Sequence, residues 1–122
     1  MAEHNDLGKW GEQQVVDKLI IDGYTIVERN WRLNHLEIDI IAVSDEDIIF
    51  VEVKTRRDEK LNPLDAMTPK KVKLLCKAAE TYIKINRLEL NPRFDVAIVI
   101  GDGFDCNIEY IPNAFLPPLY SY

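Results

Sequence analysis

A short segment, Glu52-Val53-Lys54, places a carboxylate and an ammonium two residues apart inside an apolar run. Because side chains alternate between the two faces of a strand, Glu52 and Lys54 share one face. A second apolar run carries Asp39, and the polar residues 44–47 between the two runs are typical of a tight hairpin turn. A symmetric hairpin sets Asp39 directly opposite Glu52, with their Cβ atoms about 4.5 to 5.5 Å apart. The hairpin therefore predicts two facing carboxylates beside a lysine.

Two carboxylates at that separation can share one divalent cation, and hard oxygen ligands favour Mg²⁺ or Mn²⁺. A neighbouring lysine such as Lys54 can orient a water molecule or stabilise charge that develops at phosphorus. The alternative is an ion pair between Lys54 and either carboxylate, with no ligand, and the spacing alone leaves both interpretations open. Glycoside hydrolysis by the Asp39 and Glu52 pair is disfavoured, because Lys54 would lower the carboxyl pKa that a general acid needs raised.

A third acid, Glu12, falls on the apolar side of the first predicted helix. Together with Val15, Val16 and Leu19 it follows the spacing i, i+3, i+4 and i+7. We expect this helix to pack across the sheet face that carries the hairpin acids, so that Glu12 reaches the same site. The alternative is an exposed acid in the first helical turn that complements the helix dipole.

The elements that must position these residues can be predicted from periodicity and from turn signals. Asn5 or Asp6 can cap the first helix, and Thr68 followed by Pro69 is typical of the start of the second. The expected order is α-β-β-β-α-β-β, with helices over residues 6–22 and 69–85 and strands over 24–31, 37–43, 47–55, 94–100 and 107–111. Since the second helix joins two strands, we expect an α/β fold in which a parallel crossover completes a mixed central sheet flanked by helices.

The composition restricts the class of protein. A chain of 122 residues with 47% apolar and 30% charged residues is typical of a single domain, expected over residues 1–122. Its apolar runs are too short for a membrane span, and its polar N-terminus does not resemble a secretory signal, so we expect a cytoplasmic protein. The two cysteines and two histidines are too few for a disulfide scaffold or a zinc site of usual spacing. Any metal is expected to bind through oxygen.

The net charge of −6 hides an uneven distribution. Residues 54–84 contain nine lysines and arginines against four aspartates and glutamates, so one basic region lies on an otherwise acidic chain. Arg56, Arg57, Lys70 and Lys71 are the candidate contacts for the phosphates of a nucleic acid. Solvated loop and helix charges are the alternative interpretation.

Three further patterns predict local packing. Arg93 and Asp95 share a strand face and are expected to form a local ion pair. Trp10 and Trp31 are expected to pack in the protein rather than stack on bases. The proline-containing tail over residues 112–122 is expected to be an extended coil.

Several ordered motifs resemble those of the YraN-like family of uncharacterised bacterial proteins, and the resemblance covers almost the whole chain. The motifs are Leu-Gly-Lys-Trp-Gly-Glu (7–12), Glu-Arg-Asn-Trp-Arg (28–32), Glu-Ile-Asp-Ile-Ile-Ala (37–42), Phe-Val-Glu-Val-Lys-Thr-Arg (50–56) and Arg-Phe-Asp-Val (93–96). That family is similar to the restriction-endonuclease-like superfamily, which includes archaeal Holliday-junction resolvases.

The resemblance implies a restriction-endonuclease-like core and a nuclease-like site. It implies that Asp39, Glu52 and the backbone carbonyl of Val53 are metal ligands, that Lys54 is the catalytic lysine, and that Glu12 is an accessory acid. The expected activity is hydrolysis of DNA with Mg²⁺ or Mn²⁺, on branched or otherwise structured DNA in preference to a particular base sequence, in a protein that can form a homodimer. The alternative is a module that binds nucleic acid or a repair partner without cutting.

Overall fold

The computed structural model describes residues 3–57 and 67–115, with side chains from residue 6 onward. It contains α1 (Glu3–Ile21), β1 (Thr25–Leu33), β2 (Leu36–Ser44), β3 (Asp47–Arg56), α2 (Pro69–Asn86), β4 (Asn91–Gly101) and β5 (Cys106–Ile111). Their order is the one predicted from the sequence. The part of the predicted tail from residue 116 onward lies outside the described residues.

The five strands form one open mixed sheet in the order β1-β2-β3-β4-β5. Strands β1, β2 and β3 form an antiparallel meander, and β5 pairs antiparallel with β4. The central pair, β3 and β4, is parallel, and α2 lies between these two strands in the chain. The predicted parallel crossover on a mixed sheet is confirmed.

The two helices cover opposite faces of the sheet, because alternate residues of β3 pack against different helices. Ile49 and Val51 belong to the buried cluster that includes α1, and this side is called the α1 face. Ile48 and Phe50 belong to the cluster that includes α2, and this side is called the α2 face. The central strands are therefore buried on both sides, as expected for strands rich in β-branched residues.

The ends of the helices test the predicted boundaries. The prediction that Asn5 or Asp6 caps the first helix is wrong, since α1 begins at Glu3 and both residues lie inside it. The predicted start of the second helix is confirmed, because the Thr68 side chain accepts a hydrogen bond from the Lys71 backbone N–H at 3.2 Å. Pro69 is the first residue of α2, where its missing N–H costs nothing.

The predicted Arg93–Asp95 ion pair and the predicted packing of the two tryptophans are confirmed. Arg93 and Asp95 form an ion pair, with 2.8 Å between Nη2 and Oδ2. Trp31 packs edge-on against Tyr82 of α2, with their ring centroids 5.4 Å apart. Trp10 packs against the cluster on the α1 face.

Candidate active site

The candidate site forms where strands β2 and β3 separate. Their hydrogen-bonded register follows the predicted symmetric hairpin from the pair Ser44 and Asp47 to the pair Ile40 and Val51. It stops one pair short of Asp39 and Glu52. Beyond that point Asp39 Oδ2 accepts a hydrogen bond from the Val53 backbone N–H at 2.8 Å. The Asp39 carboxylate therefore accepts the hydrogen bond that the Val53 N–H would donate to a backbone carbonyl of β2 in a regular sheet.

The chain of β2 changes face at Asp39. Ile38 packs in the cluster on the α2 face, and Ile40 packs in the cluster on the α1 face, although the two are only two residues apart. Regular alternation would place them on the same face. Asp39 lies at the point of change, so its side chain enters the gap between the separating strands.

Strand β1 changes face at the same level. Arg29 hydrogen-bonds to the side chains of Glu12 and Gln13 on α1, whereas Trp31 packs on the α2 face. Between them Asn30 has a left-handed backbone, with φ of 52°, a conformation that asparagine adopts more readily than most residues. The registered pairs on either side place Asn30 level with Asp39 of β2.

Glu12 is held in this region by residues of β1. Its Oε1 accepts hydrogen bonds from Asn30 Nδ2 at 3.0 Å and from Arg29 Nε at 3.3 Å. The helix α1 approaches β3 closely here. The glycine at position 11 permits this approach, since a Cβ atom there would overlap the side chain of Thr55. Only 12% of the Glu12 side chain is exposed, so the interpretation of Glu12 as a solvated acid of the first turn is wrong.

The face on which Glu12 approaches also differs from the prediction. Glu52 and Lys54 alternate with Val51 and Val53, whose side chains pack on the α1 face, and therefore project from the α2 face. The expectation that α1 covers the face carrying Glu52 and Lys54 is wrong. Glu12 approaches Asp39 from the α1 face. The two groups can come together because β2 and β3 are separated at this point.

Glu52 is paired with two lysines. Its Oε2 lies 3.4 Å from Lys54 Nζ and 2.6 Å from Lys71 Nζ. Lys71, predicted as a phosphate contact, lies in the second position after the first residue of α2 and reaches back to β3. Its neighbour Lys70 is exposed.

Burial and like charge perturb the acid at the centre of the site. Burial raises the pKa of Asp39 to about 7, with further increases from the Glu52 and Glu12 carboxylates and opposing contributions from the Val53 N–H and Lys54. Burial also lowers the pKa of Lys54. The site thus disfavours a second negative charge and weakens the hold of Lys54 on its proton.

These groups open onto a cleft of about 530 Å³. Its lining includes two acids and four bases: Glu12, Asp39, Lys9, Arg32, Lys54 and Arg56. Glu52 is 9% exposed and is not one of the residues that line the cleft. Arg57 lines two smaller depressions beside the β4–β5 turn, so of the predicted arginines only Arg56 lies on the cleft.

Several residues of the cleft were not predicted from the sequence. Lys9, Asn30 and Arg32 line it, and Arg29 helps to hold Glu12. The signal was present, because all four lie in or beside motifs that carried the family resemblance. Their placement depends on the irregular backbone of β1, which periodicity does not reveal.

The donor set suits a small hard cation. Within the described ranges 3–57 and 67–115, no three acidic, histidine or cysteine side chains gather closely enough to hold a metal ion by themselves. Mg²⁺ is commonly held by one or two carboxylates together with water and substrate phosphate. Asp39 and Glu52 provide two carboxylates, and the pKa of Asp39 is raised first by burial and then by the neighbouring carboxylates, so a bound cation would favour its ionised form. The residues present therefore fit such a group.

Replacing Asp39 by asparagine is expected to change how stability depends on pH. Because the pKa of Asp39 is raised to about 7 in the folded protein, its contribution to stability is present at low pH and is lost as pH rises through 7. Asparagine cannot ionise. The free energy of unfolding of Asp39→Asn minus that of wild type should therefore increase by roughly 2 to 3 kcal/mol as pH rises from 5 to 8 without metal. Urea denaturation measures both values.

Asp45 provides the matched control, since it is exposed in the β2–β3 turn with a φ of 51°, which asparagine also adopts. Asp45→Asn should show the pH dependence of wild type. If the profiles of Asp39→Asn and wild type run parallel from pH 5 to pH 8, the pKa of Asp39 is not raised in the folded protein.

Fold and site together define an α/β protein with an open five-stranded mixed sheet and an acid- and lysine-lined cleft where two strands part. The chain belongs to the uncharacterised protein family UPF0102, which it matches over residues 11–99. This is the family indicated by the YraN-like motifs.

Curated relatives match the chain over nearly its full length. A UPF0102 protein of Bacteroides fragilis is 48% identical over 121 residues, covering 98% of this chain and all of that protein. A UPF0102 protein of Flavobacterium psychrophilum is 44% identical over 116 residues, covering 94% and 98% of the two chains. Among solved structures, a SPO1766 protein of unknown function from Silicibacter pomeroyi matches 91% of this chain and 76% of its own, with 15% identity and a TM-score of 0.42.

In the described part of the chain, neither helix combines the length and apolar character that crossing a membrane requires.

Proposed function

We propose that this protein is a Mg²⁺- or Mn²⁺-dependent nuclease that hydrolyses phosphodiester bonds in DNA, with branched or otherwise structured DNA as the preferred substrate. The observation that carries the proposal is the convergence of Glu12, Asp39 and Lys54 on one cleft, with Glu52 paired to Lys54 at 3.4 Å. These groups come from α1, β2 and β3, and the fork between β2 and β3 lets them meet.

Each group has a distinct role in the proposed reaction. Asp39, Glu52 and the backbone carbonyl of Val53 would hold the cation, which supplies Lewis-acid activation of phosphate and water. Lys54 orients the attacking water and stabilises the charge that develops on the phosphate oxygens. Its lowered pKa, caused mainly by burial, suits a group that exchanges a proton during the reaction. Glu12, fixed by its two donors on β1, accepts a hydrogen bond from the same water.

The basic residues of the cleft support a polyanionic substrate. Lys9, Arg32 and Arg56 line the same cleft as the acids Glu12 and Asp39. Such basic side chains contact phosphates without reading base sequence. We therefore expect recognition to depend on the shape of the nucleic acid.

The proposal also includes location and assembly. The curated relatives named above are bacterial, and bacterial DNA lies in the cytoplasm, so we propose a cytoplasmic protein. A homodimer would present two clefts to two strands. Size-exclusion chromatography with light scattering, with and without a four-way junction, tests that arrangement.

A panel of end-labelled DNAs tests the activity. Four-way junctions, flaps, single strands and duplexes of shared sequence are incubated with Mg²⁺, with Mn²⁺ or with EDTA. We expect cleavage of junctions or flaps in excess of duplex with either metal, and none with EDTA, because the acids alone cannot activate water. Binding of the DNAs with no cleavage under any condition would contradict the proposal and favour a module that binds without cutting.

A further inference from the structure

Among the residues that the structure describes, Lys71 is the closest cation to the Glu52 carboxylate. Its Nζ lies 2.6 Å from Oε2, against 3.4 Å for Lys54 Nζ. Two ammonium groups therefore share one carboxylate oxygen, and this places a charge of about +2 beside the atom that would bind a divalent cation.

The position of Lys71 on its helix is electrostatically unfavourable. It lies in the first turn of α2, which contains no acidic residue, and the positive end of the helix dipole repels cations there. A strong anionic partner must compensate for this repulsion. Glu52 is that partner, since its side chain is 12% exposed and makes the shorter of its two ion pairs with Lys71.

The start of α2 fixes the reach of Lys71. The Thr68 side chain accepts a hydrogen bond from the Lys71 N–H, and Pro69 begins the helix. Lys70 and Lys73 on either side are exposed, whereas Lys71 is half-buried. The start of α2 thus places Lys71, and not Lys70 or Lys73, where its side chain reaches β3.

The ion pair also affects where Glu52 lies. Asp39, Val53 and Lys54 line the cleft, but Glu52 does not. Its carboxylate is drawn toward α2 by Lys71. A cation shared by Asp39 and Glu52 would compete with this ammonium for the negative charge of the Glu52 carboxylate.

We propose that Lys71 is a positioning residue that occupies the cation's place on Glu52, so that a divalent cation binds only by displacing it. This inference rests on the proposed function, because it concerns the same metal site. Lys71 then sets the affinity of the site.

Calorimetric titration of the full chain with Mn²⁺ tests this inference without a substrate. Lys71→Met removes the competing ammonium and keeps an unbranched side chain, so its Kd should fall about tenfold or more below wild type. Lys70→Met removes the same charge from the adjacent exposed position and should change Kd by less than about twofold. Lys71→Arg keeps a cation in place and should stay close to wild type.

The outcomes separate this inference from the proposed function. If Lys71→Met and Lys70→Met change Kd equally, general charge is sufficient and the inference is overturned, while the metal site stands. If neither wild type nor Lys71→Met binds Mn²⁺, both the inference and the metal site fail. If wild type binds Mn²⁺ and Lys71→Met does not, the inference alone is overturned. If Kd falls only for Lys71→Met but no DNA is cut, the inference is supported and nuclease activity is not.

Discussion

Replacing Asp39 by asparagine or Glu52 by glutamine is expected to lower DNA cleavage by at least about a thousandfold, the order expected when charge stabilisation at a reacting phosphate is lost. Each substitution removes one negative charge and leaves the size of the side chain almost unchanged. In Asp39→Asn the amide oxygen can still accept the hydrogen bond from the Val53 N–H that Asp39 Oδ2 accepts in the wild-type protein. The loss should therefore come from the chemistry of the site and not from its backbone.

Single-turnover cleavage of the preferred DNA with saturating metal measures this effect. Asp45→Asn removes one charge from the exposed turn of the same hairpin and should retain full activity. Circular dichroism and DNA binding should be similar for all variants, since neither residue is expected to contact phosphate directly. Near-wild-type cleavage by Asp39→Asn would exclude Asp39 as a metal ligand and remove the basis of the proposed mechanism.

The hairpin that carries the site was predictable from the sequence. Two runs rich in β-branched residues flank a short polar turn, and the symmetric register predicted from them is the one observed from Ile40 and Val51 to the turn. Local pattern is sufficient here because the length of the turn decides which residues of a hairpin lie opposite one another.

The sequence could not reveal how the site is assembled across the sheet. Alternation assumes a regular strand, whereas β1 and β2 both change face, at Asn30 and Asp39. The change of face depends on how β1 and β2 pair and on the left-handed backbone of Asn30. Neither feature produces a periodic pattern in the sequence. For this reason the convergence of Glu12 with Asp39 was predicted, but through the wrong face of the sheet.

The lysines of the second helix show a different limit of sequence reasoning. Its basic residues are spread around the helix, and the sequence does not say which of them faces the sheet. The packing of α2 and its Thr68 cap decide that Lys71 meets Glu52 while Lys70 remains exposed. Lys71 was predicted as a functional residue, but its pairing with Glu52 was not predicted.

Replacing Arg93 by methionine is expected to lower the free energy of unfolding by about 3 to 5 kcal/mol, the usual cost of removing one partner of a buried ion pair. Asp95 is completely buried and accepts two hydrogen bonds from Arg93, one from Tyr110 and one from the Asn113 N–H. Without Arg93 the carboxylate keeps only the last two donors.

This cluster lies close to the site along the sheet, because Asp95 is the registered neighbour of Val51, the last residue of β3 that pairs with β2 before the fork. Arg93 also donates a hydrogen bond to the Tyr24 hydroxyl, at 2.8 Å, just beyond the end of α1. The Arg93–Asp95 pair thus connects Tyr24, which follows α1, with β4 and β5 on the α1 face. Its loss should loosen the support of β3 as well as lower the stability of the whole protein.

Urea denaturation at neutral pH measures the effect against a matched variant. Lys84→Met breaks the ion pair between Lys84 and Glu80 on α2, in which the two side chains are 74% and 57% exposed. That change should cost no more than about 0.5 kcal/mol, because water screens an exposed pair. Arg93→Lys keeps the charge with fewer donors and should fall between Arg93→Met and wild type. Equal small losses for Arg93→Met and Lys84→Met would show that Tyr110 and Asn113 alone stabilise the Asp95 carboxylate.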